Sequence, residues 1–168
     1  MQRLKDEAAI LRAAEKLGVE AKIISPAEVA TGDWVRWKCQ YGCGGYGQAL
    51  TCPPHSPAPE QTRRVLDSYR RALLLHLRDG GDMAEIAVTL ERQLFLSGFY
   101  RAFGFGSGPC RRCDECNLES CAHPRQARPS MEACGIDVFQ TARAQGFPIE
   151  VLTSTRCTGN YYGLVLIE

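Results

Sequence analysis

Residues 108–124 read GPCRRCDECNLESCAHP and place Cys110, Cys113, Cys116 and Cys121 within twelve positions. Residues 39–57, CQYGCGGYGQALTCPPHSP, supply a second group: Cys39, Cys43 and Cys52. Thiols at this density bind metals or do redox chemistry, and the spacing discriminates among the candidates. A tetrahedral zinc site commonly takes two cysteines from one C-x2-C turn and two from a distant second turn, so three cysteines in succession at x2 spacing crowd one small ion. A cubane is larger, with four corners that each need an outward thiolate, and a loop with Cys at every third residue wraps three corners in turn. Cys110, Cys113 and Cys116 do this. In the bacterial ferredoxin run a fourth cysteine follows after three residues and is itself followed by proline. Here the gap before Cys121 is four residues and the proline stands at 124. That leaves either one cluster closed locally by Cys121 or an arrangement shared between two clusters. The spacing favours an iron–sulfur cluster over structural zinc, and zinc over free or disulfide-bonded cysteines.

The first group, C-x3-C-x8-C, matches neither the ferredoxin run nor a zinc knuckle and lacks a fourth thiol. Cys134, Cys157, His55 or an exogenous ligand could complete it, with Cys134 preferred and Cys157 its alternative. Either cysteine could instead be a small buried hydrophobe. His55 and His123 lie beside prolines in polar loops and read first as solvent-facing, while His76 in ALLLHL reads as a core or rim residue.

Other features have competing explanations. Gly104-Phe105-Gly106-Ser107-Gly108 resembles part of a dinucleotide fingerprint but lacks the G-x-G-x-x-G spacing, so it reads as backbone clearance around a cluster. Arg111, Arg112, Arg125 and Arg128 could offset cluster charge, dock an acidic redox partner or form a solvated face. Glu132 and Asp137 could be acid–base groups, although helix-end charges explain both. Tyr161 and Tyr162 are expected to pack at the start of the last strand.

The elements that must position these residues follow from periodicity. Leu4, Ala8, Leu11 and Ala14, with Ile10 and Leu17, predict a helix closed by Gly18, and AKII at 21–24 a strand. WVRWK at 34–38 alternates like a strand and would deliver Cys39 at its end. Glycines and prolines then place Cys43 and Cys52 on a loop. A helix starting near Pro57 or Pro59 is expected to bury Val65, Leu66 and Tyr69, before a strand at 72–77, a turn at 78–81 and a helix with the face Met83, Ile86, Leu90 and Leu94. One or two short helices should end at Gly146, followed by strands at 149–153 and 162–167. The expected architecture is α/β: a single domain, residues 1–168, with a mixed sheet flanked by helices and two long Cys-rich metal-binding loops.

Composition bounds the rest. The chain has 168 residues, 45% hydrophobic and 23% charged, enough to bury one core. Its formal charge of +1 gives no global attraction to nucleic acid or membranes, and the longest aliphatic stretch, 72–77, is far too short to span a bilayer. No signal-peptide pattern opens the chain, so a cytoplasmic setting is expected, where nine cysteines point to metal rather than disulfides. The functional classes are therefore a [4Fe–4S] electron-transfer or redox-accessory protein with one or two clusters and a redox partner protein, an enzyme with a substrate-binding open iron, and a zinc-stabilised interaction module. A radical enzyme using S-adenosylmethionine is disfavoured by the missing C-x3-C-x2-C run.

The set Cys39…Cys43-Gly44-Gly45-Tyr46-Gly47…Cys52-Pro53-Pro54, then GSGPCRRCDEC, then ARPSMEACGIDV resembles a prokaryotic family of predicted metal-binding proteins, a domain of unknown function. The likeness runs from about residue 30 to the C-terminus. It implies metal binding by Cys39, Cys43, Cys52, Cys110, Cys113, Cys116 and Cys121, and implies no particular reaction or substrate.

Overall fold

The computed structural model describes residues 4–154 and 156–168. In chain order the elements are α1 (Glu7–Lys16), β1 (Glu20–Ile24), α2 (Asp33–Gly42), α3 (Pro59–Asp67), β2 (Ala72–Arg78), α4 (Met83–Leu96), β3 (Phe103–Phe105), α5 (Val138–Ala144) and β4 (Asn160–Leu166). The strands form one sheet in the order β1-β2-β4-β3, antiparallel at every pairing. The expected α/β domain is thus present, and its sheet is antiparallel rather than mixed. Among the described residues a parallel pairing appears in the isolated bridge from Gly106 to Ser130.

The central strand β2 is a continuous apolar run because both of its faces are covered. Leu73 and Leu75 point to one side, where Ile10, Ala14, Leu90 and Leu94 of α1 and α4 cover them. Leu74 points to the other side, with Leu66 of α3, Ala142 of α5, and Met131, Cys134 and Ile136 from the segment before α5. His76 ends this run as a core residue: it is 5% exposed, reaches Glu20 and Asn160 through its two ring nitrogens, and stacks on Tyr162. Burying Leu74 or Leu75 in full contributes on the order of 2 kcal/mol each.

Several expected elements differ. Residues 33–42 are helical, not a strand, so Cys39 rides on a helix. Five residues cannot separate a period of two from one of 3.6 when two tryptophans supply the apolar positions. Both prove exposed, Trp34 at 48% and Trp37 at 64%, and only Val35 of the helix is buried. The apolar stretch at 149–153 pairs with no strand: Ile149 is buried, while Val151 and Leu152 are exposed. In α1 the buried face is Ala9, Ile10, Ala13 and Ala14, and Ala8 and Leu11 look outward. In α3, Leu66 is buried but Val65 is not. Of the tyrosine pair, Tyr162 packs in the core and Tyr161 is 40% exposed.

The glycines at 104 and 106 serve helix packing, not a cluster. A Cβ on Gly104 would stand 3.1 Å from the Ala87 Cβ, and one on Gly106 would stand 2.8 Å from the Ala84 Cβ. Both alanines belong to α4, which lies directly against this strand.

Candidate metal centre

Cys39 sits near the end of α2 and Cys43 is its C-terminal cap, so the helix delivers two thiols one turn apart. Arg36, one turn before Cys39, anchors the following loop. Its Nη1 donates to the carbonyl of Pro57 at 2.6 Å and, more weakly, to those of Ser56 and Ala133. Ser56 Oγ donates to Ala133 O at 2.5 Å and Thr62 Oγ1 to Cys134 O at 2.7 Å. These bonds seat the loop on the short 3-10 turn Glu132–Cys134, whose end at Gly135 requires a glycine. Its φ is 77°, and a Cβ there would come 2.3 Å from Pro59 Cγ.

Within the loop, Gly47 N donates to Pro53 O at 2.7 Å, turning Cys52 back towards Cys43. A Cβ on Gly45 would stand 3.5 Å from Cys43 Sγ and 3.9 Å from Cys52 Sγ. Both sulfurs therefore border one glycine, whose own N–H points at Cys43 Sγ over 3.4 Å. The second group surrounds a separate small recess of about 30 Å³, bordered by Cys110, Cys113, Cys116 and Cys121 and by Ala49, Leu50 and Thr51 of the first loop.

The electrostatics join the two groups. Burial pushes the Cys52 thiol up, and Cys43, Cys110 and Cys116 add to the rise. Cys39 is raised by burial and then by Cys43, Glu132 and Cys52. Cys113 is raised by loss of solvent and then by Cys116, Cys110 and Cys121. Cys134 is pushed to about 12 by burial, with Arg36 opposing and Glu132 and Cys39 adding. Cys52 thus lies in the field of thiols from both groups, and Cys134 in that of Cys39. Like charges this close disfavour joint ionisation, so a cation that replaces their protons removes the repulsion.

Cys157 stands apart. It is exposed, and its thiol is lowered to about 7 by the Ser154 hydroxyl and by Thr153. Between Cys134 and Cys157, the former lies beside the first group. His55 and His123 are exposed loop residues, as their proline-rich context suggests. Among the described residues no three His, Cys, Asp or Glu side chains close on a point suited to one metal ion.

The basic residues divide. Arg112 pairs with Asp82 and Glu85 at 3.0 and 2.9 Å, and Arg128 grips Glu91 through two bonds of 2.8 and 2.6 Å. Arg111 and Arg125 are exposed. Asp137 is the expected cap, accepting from Gln140 N at 2.9 Å.

Glu132 is more than a helix-end charge. The residue as a whole is half-buried and its Oε2 is sealed from solvent; burial raises its pKa, with hydrogen bonds to the carboxyl from its own backbone and from the Ser130 hydroxyl opposing. Sequence reasoning undervalued it because nothing in MEACGIDV signals that the carboxyl turns inward. A cleft of about 550 Å³ opens beside it, with Cys39 and Cys43 on its wall. The 149–152 segment, which reads as a strand, forms part of its lip. No helix among the described residues is long and apolar enough to cross a membrane.

The residues present suit a sulfur-ligated metal group: soft thiols carried by the end of α2, the 3-10 turn at Cys134 and the two loops. Searches of curated proteins and of solved structures each returned no match. Over residues 22–167, however, the chain matches a family described as predicted metal-binding protein (DUF2284), and it belongs to that family.

Proposed function

We propose that this protein binds [4Fe–4S] clusters and acts in the cytoplasm as an electron-transfer or redox-accessory protein. The observation that carries the reading is the recess that Cys110, Cys113, Cys116 and Cys121 border together with Ala49, Leu50 and Thr51, the residues just before Cys52 of the first loop. Cys110, Cys113, Cys116 and Cys121 would hold one cluster around their shared recess. Cys39, Cys43 and Cys52 would hold another, with the buried Cys134 as fourth ligand. Such clusters accept and release single electrons, and thiol ligation of every iron favours relay over substrate binding. Two thiol groups this close suit electron passage between them, and the exposed Arg111 and Arg125 beside the second group suit an acidic partner protein.

Iron, sulfide and zinc analysis of protein purified without oxygen tests the reading. The expected result is brown protein with on the order of eight irons and eight sulfides per chain and almost no zinc. About four irons would restrict cluster binding to the 110–121 loop. Colourless protein with stoichiometric zinc would replace the proposal with a zinc-stabilised module.

A further inference from the structure

The turn that leads into Cys52 carries a hydroxyl that apolar packing does not explain. Cys52 N donates to Ala49 O at 2.9 Å, closing a tight turn with Leu50 and Thr51 at its corners. Thr51 thereby borders the recess of the second thiol group, while the next residue, Cys52, belongs to the first. Thr51 is half-buried, yet its Oγ1 is sealed from solvent and has no hydrogen-bond partner among the described residues.

A sealed hydroxyl without a partner is destabilising, so a position that keeps one is suited to an acceptor that arrives with a ligand. Neighbouring side chains offer none. The Arg112 guanidinium can only donate and is held by Asp82 and Glu85, and the Asn117 side-chain oxygen already accepts from Glu119 N at 2.9 Å. Sulfur remains. Burial raises the Cys52 thiol and the Thr51 hydroxyl opposes that rise, so the hydroxyl lies in reach of this sulfur without the alignment of a full hydrogen bond. A protonated thiol is a weak acceptor, whereas a metal-bound thiolate carries the charge that makes a strong one.

We propose that Thr51 Oγ1 donates a hydrogen bond to the Cys52 sulfur when that sulfur ligates a metal, which makes Thr51 a positioning residue that tunes the first metal site. This rests on metal ligation by Cys52 as read above, and not on which metal is held. A hydrogen bond to a ligating sulfur draws electron density away from the metal and favours the more electron-rich state, so in an iron–sulfur cluster it raises the reduction potential.

The test compares the wild-type protein with Thr51→Val, which keeps nearly the same shape and loses the hydroxyl, and Thr51→Ser, which keeps the hydroxyl, all purified without oxygen. Iron, sulfide and zinc are measured on each sample, so failure of the cluster reading and failure of this one are distinguishable. In iron-loaded protein the one-electron reduction of each cluster is followed by mediated potentiometry, and Cys52→Ser marks the transition that belongs to the first group. Thr51→Val should move that transition about 10-fold towards the oxidised state, ~59 mV for one electron. Metal content and the other transition should stay as in the wild type, and Thr51→Ser should behave as the wild type. Where iron is absent, cobalt(II) is loaded instead: its sulfur-to-metal charge-transfer band should move to longer wavelength in Thr51→Val and not in Thr51→Ser. A shift under about 2-fold in the marked transition, movement of the other transition alone, an unmoved cobalt band or no cobalt binding, or a change that Thr51→Ser shares with Thr51→Val would overturn the proposal.

Discussion

Cys134 and Cys157 carry the same thiol into opposite settings. Cys134 is fully buried among apolar side chains with Cys39 and Arg36 nearby, whereas Cys157 is exposed beside two hydroxyl groups. The difference makes serine replacement informative. Cys134→Ser should remove one cluster's worth of iron, roughly four per chain, and change one component of the visible spectrum, while Cys157→Ser leaves both unchanged. If neither change affects the spectrum and cyanide perturbs the wild-type protein, the first group has an open iron and an enzyme becomes the better reading than a relay.

At the scale of elements, the cysteine loops are held by side chains that reach across from helices. Arg36 of α2 fastens the 43–57 loop to the turn before α5. Arg128, at the end of the second loop, makes the same kind of attachment to α4. It is two-pronged to Glu91, which also accepts from Gly104 N at 2.8 Å, and it donates back to the carbonyls of Pro124 and Ala127. Arg128 and Glu91 are only 13% and 16% exposed. Arg128→Ala would strand a mostly buried carboxylate, so we expect a loss of about 3–5 kcal/mol in urea unfolding under anaerobic conditions. Arg111→Ala, at an exposed site, should cost under about 0.5 kcal/mol in the same measurement.

Across the whole molecule, stability and chemistry are housed separately. The two apolar clusters on either face of the sheet include, of the nine cysteines, only Cys134. The segments carrying the other candidate ligands bury little apolar surface, and residues 109–125 are largely exposed. Chelating the metal should therefore raise hydrogen exchange across residues 43–57 and 107–124 and leave α1 and α4 protected. Equal protection of both segments with and without metal would contradict a metal-ordered centre.

The sequence by itself determined the features that a local pattern encodes. The apolar run of β2, the helical face of α4 and the stop at Gly146 all follow from spacing over a few residues, and the grouping of the cysteines into two sets is read directly from the chain. Tertiary structure decided what depends on neighbours far along the chain. Residues 33–42 became a helix when docked on the turn at 132–134, a contact nearly a hundred positions away that a five-residue alternation cannot register. Gly104 and Gly106 were claimed by α4, because the nearest atoms to a glycine are a property of packing. The meeting of the first loop, at Ala49, Leu50 and Thr51, with the recess of the second thiol group, the separation of Cys134 from Cys157, and the inward turn of Glu132 arose in the same way. Residue type states what chemistry a side chain can do, but the field and solvent around it are set by elements that only the folded chain brings together.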